Sequence, residues 1–284
     1  MSISTYNINE CSEIRVPPLI KWPGGKRSLL EQILPHLPPS PRRYFEPFLG
    51  GGAVFFALQP SKAWLSDTNE ELINLYRHVR DAPEGLIKIL RTFENSEKAY
   101  YHIREQTFRS PIKRAARLLY LTTLSFNGIH RVNLRGEFNV PYGYKTHLAT
   151  CDEFRIKATS KALASAKLNV ADFEVATRSA KEGDLVYFDP PYTVAHSHNG
   201  FVKYNEKIFS WSDQIRLASH AYSLAERGCH VVISNADHPS VRSLYKEFTV
   251  KKIQRFSRIA ASSEHRKAIT ELLFYKSGRK GDAR

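Results

Sequence analysis

The sequence is poor in cysteine, short of acid relative to base, and free of long apolar runs. Its three cysteines, Cys11, Cys151 and Cys229, are scattered and form no CxxC pair. That argues against a disulfide framework or a zinc site and suits a reducing compartment. No segment approaches the roughly 20 apolar residues that span a bilayer. The stretch MSISTYNINECSEIRVPP at the amino end has no basic-then-apolar leader pattern, which predicts a cytoplasmic protein with no membrane partner. Internal repeats and low-complexity tracts are absent. Acids number 28 against 42 lysines and arginines, a formal net charge of +14. Such an excess favours a polyanion, because each phosphate neutralised releases counterions; a surface charged for solubility is the bland alternative.

At 284 residues, 42% hydrophobic, the chain can bury one large core or two modest ones. Strand and helix patterns alternate. RRYFEPF and KAWLSD read as strands, and GGGAVFFAL as a helix opening on glycine and closed by Pro60. NEELINLYRHVR reads as an amphipathic helix capped by Thr68 or Asn69. LNVADF, LVYFDPP and CHVVISN are three further strands, with a helix between the last two that Gly228 ends. FTVKKIQRF and AITELLFYK follow as strands with no helix between them. The pattern predicts an α/β fold, a mostly parallel sheet with an antiparallel carboxy-terminal hairpin. Residues 80–150 break the alternation with three helical patterns and the irregular FNGIHRVNLRGEFNVPYGYKTH. A loop of that length is usually functional. The division expected is 15–75 with 151–277 as one domain, 76–150 as an inserted helical subdomain, and 1–14 and 278–284 as loose ends.

Two glycine motifs fail common readings. KWPGGK is not a P-loop, since Ile20 stands at the first glycine position and Arg27 where Ser or Thr is required. In EPFLGGGAVFF, Gly50 and Gly52 match a dinucleotide fingerprint but Phe55 occupies its third, small position. What remains is a glycine turn that lets a ligand approach the backbone. Glu46, Asp67 and Asp189 each end a predicted strand. Three carboxylates on one sheet edge repel phosphate but suit a cationic ligand or a ribose, to which Trp22 could offer an aromatic face; unrelated surface acids are the alternative. In LVYFDPPY, Pro190 and Pro191 lack N–H donors, so pairing stops and Asp189 is left at the strand's carboxyl end.

KWPGGK, FEPFLGGGAV, SDTN, ADF and DPPY, in that order around a helical insert, closely resemble the Dam-type (D12 class, alpha group) DNA adenine-N6 methyltransferases from Leu19 to Lys276. The resemblance implies the S-adenosylmethionine-dependent methyltransferase fold, S-adenosyl-L-methionine as cofactor, double-stranded DNA as partner and no metal. By carry-over, Trp22, Lys26, Asp67 and Asp189 contact the methyl donor and Asp172 with Phe173 borders its adenine, while Glu46, Phe48, Gly50 and Gly52 complete the cofactor set. Asp189, Pro190, Pro191 and Tyr192 form the catalytic group. The Asp189 carboxylate and Pro190 carbonyl accept the two N–H groups of a flipped-out adenine and Tyr192 stacks on the base. FNGIHRVNLRGEFNVPYGYK resembles the Dam recognition loop, which implies that Lys21, Ile129, Arg131 and Pro141 face bases of GATC. Phe126 and Tyr144 are candidate wedges, and Asn127, Asn133 and Arg258 join the DNA-binding set. Here PYGYK is one residue shorter than the family's PFGxYK. A salt bridge to Glu137 is the structural alternative for Arg131.

The resemblance also implies a nucleoid-associated protein of a bacterial or phage-infected cell, compatible with a cognate restriction endonuclease acting separately. An RNA amine methyltransferase and a catalytically silent DNA-binding relative are the competing readings. Cytosine carbon-5 chemistry is disfavoured because no cysteine sits in a Pro-Cys context, and protein-glutamine methylation because Asp189 stands where Asn is usual.

Overall fold

The computed structural model describes residues 16–133, 135–193, 209–256 and 268–278. The expected loose ends, apart from Gly278, and Arg258 lie outside them. Seven strands form one sheet in the order β3-β2-β1-β4-β5-β7-β6. They are β1 (Tyr44–Glu46), β2 (Ala63–Asp67), β3 (Lys167–Val170), β4 (Leu185–Phe188), β5 (His230–Ala236), β6 (Thr249–Phe256) and β7 (Ala268–Lys276). The first five run parallel, whereas β7 lies antiparallel between β5 and β6. From β1 the chain winds outward through β2 to β3, then restarts at β4 on the other side of β1. The topological switch point, where open α/β sheets bind ligands, therefore lies between the ends of β1 and β4.

Side chains alternate along each strand and feed two cores. Tyr44, Leu65, Leu185, Tyr187, Val232 and Leu273 face one side. Phe45, Val186, Phe188, Val231, Ile233, Leu272 and Phe274 face the other. The first side is covered by α2 (Ala53–Leu58), α3 (Glu70–Asp81), α4 (Pro83–Leu90), α5 (Glu97–Glu105), α6 (Pro111–Leu124) and α7 (Glu153–Leu163), after a short helical turn α1 (Leu30–Ile33). The second is covered by α8 (Phe173–Thr177) and α9 (Trp211–Glu226).

Local chemistry sets the helix ends. The Asn69 side chain accepts from the Leu72 N–H, and Glu70 and Glu71 follow at the positive end of the α3 dipole. Ser210 and Asp213 close a capping box on α9, and Gly228 beyond it takes φ +85°, where a Cβ would also strike Glu182. The sequence pattern of α7 is weak because its buried stripe is thin: only Ile156, Thr159 and Leu163 are buried. The helices from α4 to α6 share one continuous core with the sheet. Asn74 on α3 donates to the Pro111 carbonyl at 2.8 Å, and Leu90, Tyr120 and Tyr142 belong to the same cluster as Leu65 and Tyr187.

The start of β4 is fixed by Asp184, fully buried, which accepts from Arg43 Nη2 at 2.5 Å, Arg42 Nη2 at 3.0 Å and the Lys181 N–H at 2.9 Å. Both guanidiniums keep some solvent access, so the cost of losing the acid sits below that of stranding a fully buried cation. Asp184→Ala should destabilise the fold by about 1.5–3 kcal/mol in denaturant unfolding, and a change under about 0.5 kcal/mol would show that the cluster does not anchor the strand.

Candidate active site and nucleic-acid interface

The period of two along the strands determines which acids meet. Glu46 lies two residues past Tyr44, Asp67 two past Leu65, Asp189 two past Tyr187, and Glu271 two before Leu273. All four therefore belong to the same side of the sheet, at the edge where the parallel strands end. Glu271 reaches that edge because β7 runs the opposite way, pairing Glu271 with Ala236 at the end of β5. Lys26 enters from the loop before the first helical turn. Its ammonium is 2.7 Å from Asp189 Oδ1, 2.7 Å from the Gly24 carbonyl it donates to, 3.6 Å from Glu271 Oε2 and 4.9 Å from the Tyr192 ring centre. It is 3% exposed. Tyr192 donates its hydroxyl to Glu271 Oε2 at 2.6 Å.

The turn after β4 is braced from behind. Gln214 of α9, fully buried, donates to the Pro191 carbonyl at 3.2 Å and accepts from Asn235 Nδ2 of β5 at 3.0 Å. The Tyr187 hydroxyl shares a 2.7 Å hydrogen bond with Ser234. Asp189 and Pro190 thus sit on a fixed base, as a preorganised acceptor pair requires.

Beside this cluster lies the glycine turn. Gly50 and Gly52 adopt φ +47° and +66°, and a Cβ on Gly50 would come within 2.9 Å of Trp22 Cδ1. Asp67 spans the turn, accepting from the Gly50 N–H at 3.0 Å and the Asn69 N–H at 2.9 Å; burial pushes its carboxyl up against those bonds. Glu46 accepts from Tyr44 Oη at 2.8 Å and the Phe55 N–H at 3.2 Å, yet burial drives its carboxyl to about 8, with Asp189 adding to the rise. A buried acid so poised favours a cation or hydroxyl donor nearby. Phe48 stacks on Phe173 with centroids 5.7 Å apart. Asp172 caps α8 and is held by both arms of Arg216, whose guanidinium covers the Phe173 ring at 4.4 Å. Trp22 stacks one face on His130 of the loop after α6, 4.3 Å between centroids, and burial holds that imidazole down at about 4.

The loop after α6 is pinned at its base by the Ser125–Tyr142 bridge and midway by Val132–Phe138. Phe126, Asn127, Ile129, Arg131, Pro141 and Tyr144 are all exposed and Asn133 is partly so. Asn127 and Tyr144 take left-handed backbone, φ +54° and +51°. Arg131 does not pair with Glu137. It donates Nε to Asn139 Oδ1 at 2.8 Å and Nη2 to the Asn139 carbonyl at 3.2 Å, while Asn133 takes Glu137 at 2.7 Å. Tyr144 leans away from the loop tip, donating its hydroxyl to Glu97 at 2.7 Å. Lys21 donates to the Asn127 carbonyl at 3.4 Å and Lys145 to Thr123 at 2.8 Å, which sets two cations at the loop's foot.

Among the described residues no His, Cys, Asp and Glu cluster has the makings of a metal site, and no helix is long and apolar enough to cross a membrane. Burial pushes the Cys229 thiol up to about 11, away from nucleophilic thiolate. A family model described as D12 class N6 adenine-specific DNA methyltransferase matches residues 22–259. The chain belongs to this family. It is 39% identical over 282 residues to the Type II methyltransferase M1.LlaDCHI of Lactococcus lactis subsp. cremoris, covering 96% of this chain and 99% of that one. It is 34% identical to the DNA adenine methylase of Escherichia coli K12, covering 91% and 95%. With M.MjaIII of Methanocaldococcus jannaschii, also a Type II methyltransferase, identity is 34% over 92% of this chain and 99% of that one.

In this D12 class methyltransferase, sequence reasoning missed Glu271, Gln214, Arg216 and His130. Glu271 carried a usable signal, a lone acid inside the apolar strand ITELLF, which needs a buried partner. The raised Glu46 pKa gives a stability test. Its neutral form is the one the fold favours, so its contribution is whole below the unfolded value of 4.5 and is lost as pH climbs through about 8. Without ligand, Glu46→Gln should match wild type in Tm at pH 4.5 and exceed it by at least about 2 °C at pH 8.5. Equal Tm values across that range would mean that Glu46 ionises freely.

Proposed function

We propose that this methyltransferase moves the methyl group of S-adenosyl-L-methionine to N6 of an adenine swung out of duplex DNA, within GATC. The observation that carries the reading is the braced Asp189–Pro190 turn at the switch point of the sheet, with Tyr192 beside it. The residues around the glycine turn suit the cofactor. Gly50, lacking a Cβ, lets Trp22 pack directly on the turn, and Glu46, Asp67 and Asp189 offer buried or half-buried acceptors to an amino group, a ribose and a cation. Lys26, Phe48, Gly52, Asp172 and Phe173 complete that wall. Bound there, S-adenosyl-L-methionine supplies an electrophilic methyl on a sulfonium.

The chain's own residues act on the amine. An exocyclic adenine nitrogen is a poor nucleophile, its lone pair being delocalised into the ring. Acceptance of its two N–H groups by the Asp189 carboxylate and the Pro190 carbonyl favours a pyramidal nitrogen and stabilises the positive charge that grows on it. Tyr192 offers a π-face to the unstacked base, and the proton leaves an already cationic nitrogen, so no base of raised pKa is required. The exposed row Phe126, Ile129, Arg131, Pro141 and Tyr144, with Lys21 at its foot and Asn127 and Asn133 in the loop, supports duplex reading. GATC rests on the likeness of that loop to the Dam loop. We extend the proposal to a cytoplasmic protein, compatible with a cognate restriction endonuclease that acts separately.

Methyl transfer from labelled donor to GATC duplexes, single-base variants of them, RNA and protein tests the reading; N6-methyladenine should form in GATC duplexes alone. Label in RNA or protein but not in DNA would overturn it. Arg131→Ala should cost about 1–3 kcal/mol on GATC and relax discrimination at one base pair, whereas uniform slowing on every duplex would make Arg131 a loop brace. With 2-aminopurine at the target position, fluorescence should rise on binding, and more so in Tyr192→Ala, which loses the stacking quencher.

A further inference from the structure

Asp189 cannot stabilise a growing positive charge while a full cation already neutralises it. In the structure Lys26 does so, with its ammonium 2.7 Å from Oδ1 and both groups largely withdrawn from water. At such burial the pair is weakly screened, so its electrostatic effect on the clamp is large. Docking an adenine amine on Asp189 therefore requires somewhere for that ammonium to go.

A second carboxylate beside the ammonium is that of Glu271. It is 1% exposed, projects from β7 to the same sheet edge, and stands 3.6 Å from the ammonium. A shift of about 1 Å brings Lys26 Nζ into hydrogen-bond range of it. The path is prepared. Nζ lies 4.9 Å from the Tyr192 ring centre, Tyr192 is fixed by its own 2.6 Å bond to Glu271, and the Gly24 carbonyl at 2.7 Å offers a pivot on the lysine's own loop.

We propose that Glu271 is a positioning residue for methyl transfer, which takes the Lys26 ammonium from Asp189 as the target amine arrives and so returns the clamp carboxylate to full charge. No charge leaves the site in this exchange; one ammonium passes between two carboxylates while the amine's N–H groups take the vacated acceptor. The inference rests on the reading of Asp189 as the amine clamp.

Glu271→Gln separates the exchange from simple support, because the amide oxygen still accepts the Tyr192 hydroxyl but offers no negative charge to the lysine. Single-turnover methylation of a GATC duplex should fall by about 30–100-fold, with cofactor and DNA affinity within about threefold of wild type. Glu271→Asp, which keeps the charge, should recover to within about tenfold. In a Lys26→Gln background, Glu271→Gln should cost less than about threefold more, as expected of residues that act as one unit. Turnover of Glu271→Gln within threefold of wild type, while Asp189→Ala is inactive, overturns the inference and leaves the clamp standing. So does a loss that multiplies in full with Lys26→Gln, or one shared equally by the Asp variant, since either marks a structural role. Turnover by Asp189→Ala would instead remove the clamp reading, and the exchange with it.

Discussion

The contact between the Lys26 ammonium and the Asp189 carboxylate organises the molecule around it. A lysine 3% exposed must be paired, and its partners lie on a sheet edge built from strands far apart in the chain. Meeting that requirement draws the segment from Lys21 to Lys26 down over the switch point. Trp22 is thereby placed against Gly50 on one side and His130 on the other. The glycine turn, the turn after β4 and the base of the loop after α6 are thus held in one register by six residues.

The sheet makes this possible without any special loop. Because side chains alternate, one residue choice at the end of each strand decides which side an acid joins. Glu46, Asp67, Asp189 and Glu271 all fall on the side covered by α2 to α7. A parallel strand can bring an acid there only at its end. The antiparallel β7 brings one at its beginning, which lets Glu271 enter a cluster otherwise built from βα turns. Burial drives the Glu46 carboxyl to about 8, and Asp189 and Glu271 both lie beside the Lys26 ammonium.

Much of this was legible in the chain. Leu185–Phe188 announced a buried strand, Pro190 and Pro191 its end, and Thr68 or Asn69 a helix cap, which Asn69 proves to be, because each is decided by neighbours within a few residues. The failure of the dinucleotide fingerprint at Phe55 was equally local, and that ring is in the core. Contacts set by tertiary packing were not legible. Arg131 has Glu137 close in sequence but meets Asn139 across the loop, since Asn133 takes the acid first. The family resemblance implies a donor-site role for Lys26, and only the fold shows that it lies against Asp189, with a second carboxylate 245 positions further along within reach. The helix Glu153–Leu163 escaped because three inward residues do not make a strong period.

If the charge of Asp189 drives transfer to the amine, replacing that charge alone removes most of the rate. Asp189→Asn retains shape and one acceptor oxygen at the end of β4. Its single-turnover rate on a GATC duplex should fall by at least about 10²-fold while DNA affinity at fixed salt, set mainly by phosphate contacts, stays within about twofold. A rate within tenfold of wild type, with N6-methyladenine still the product, would contradict the account.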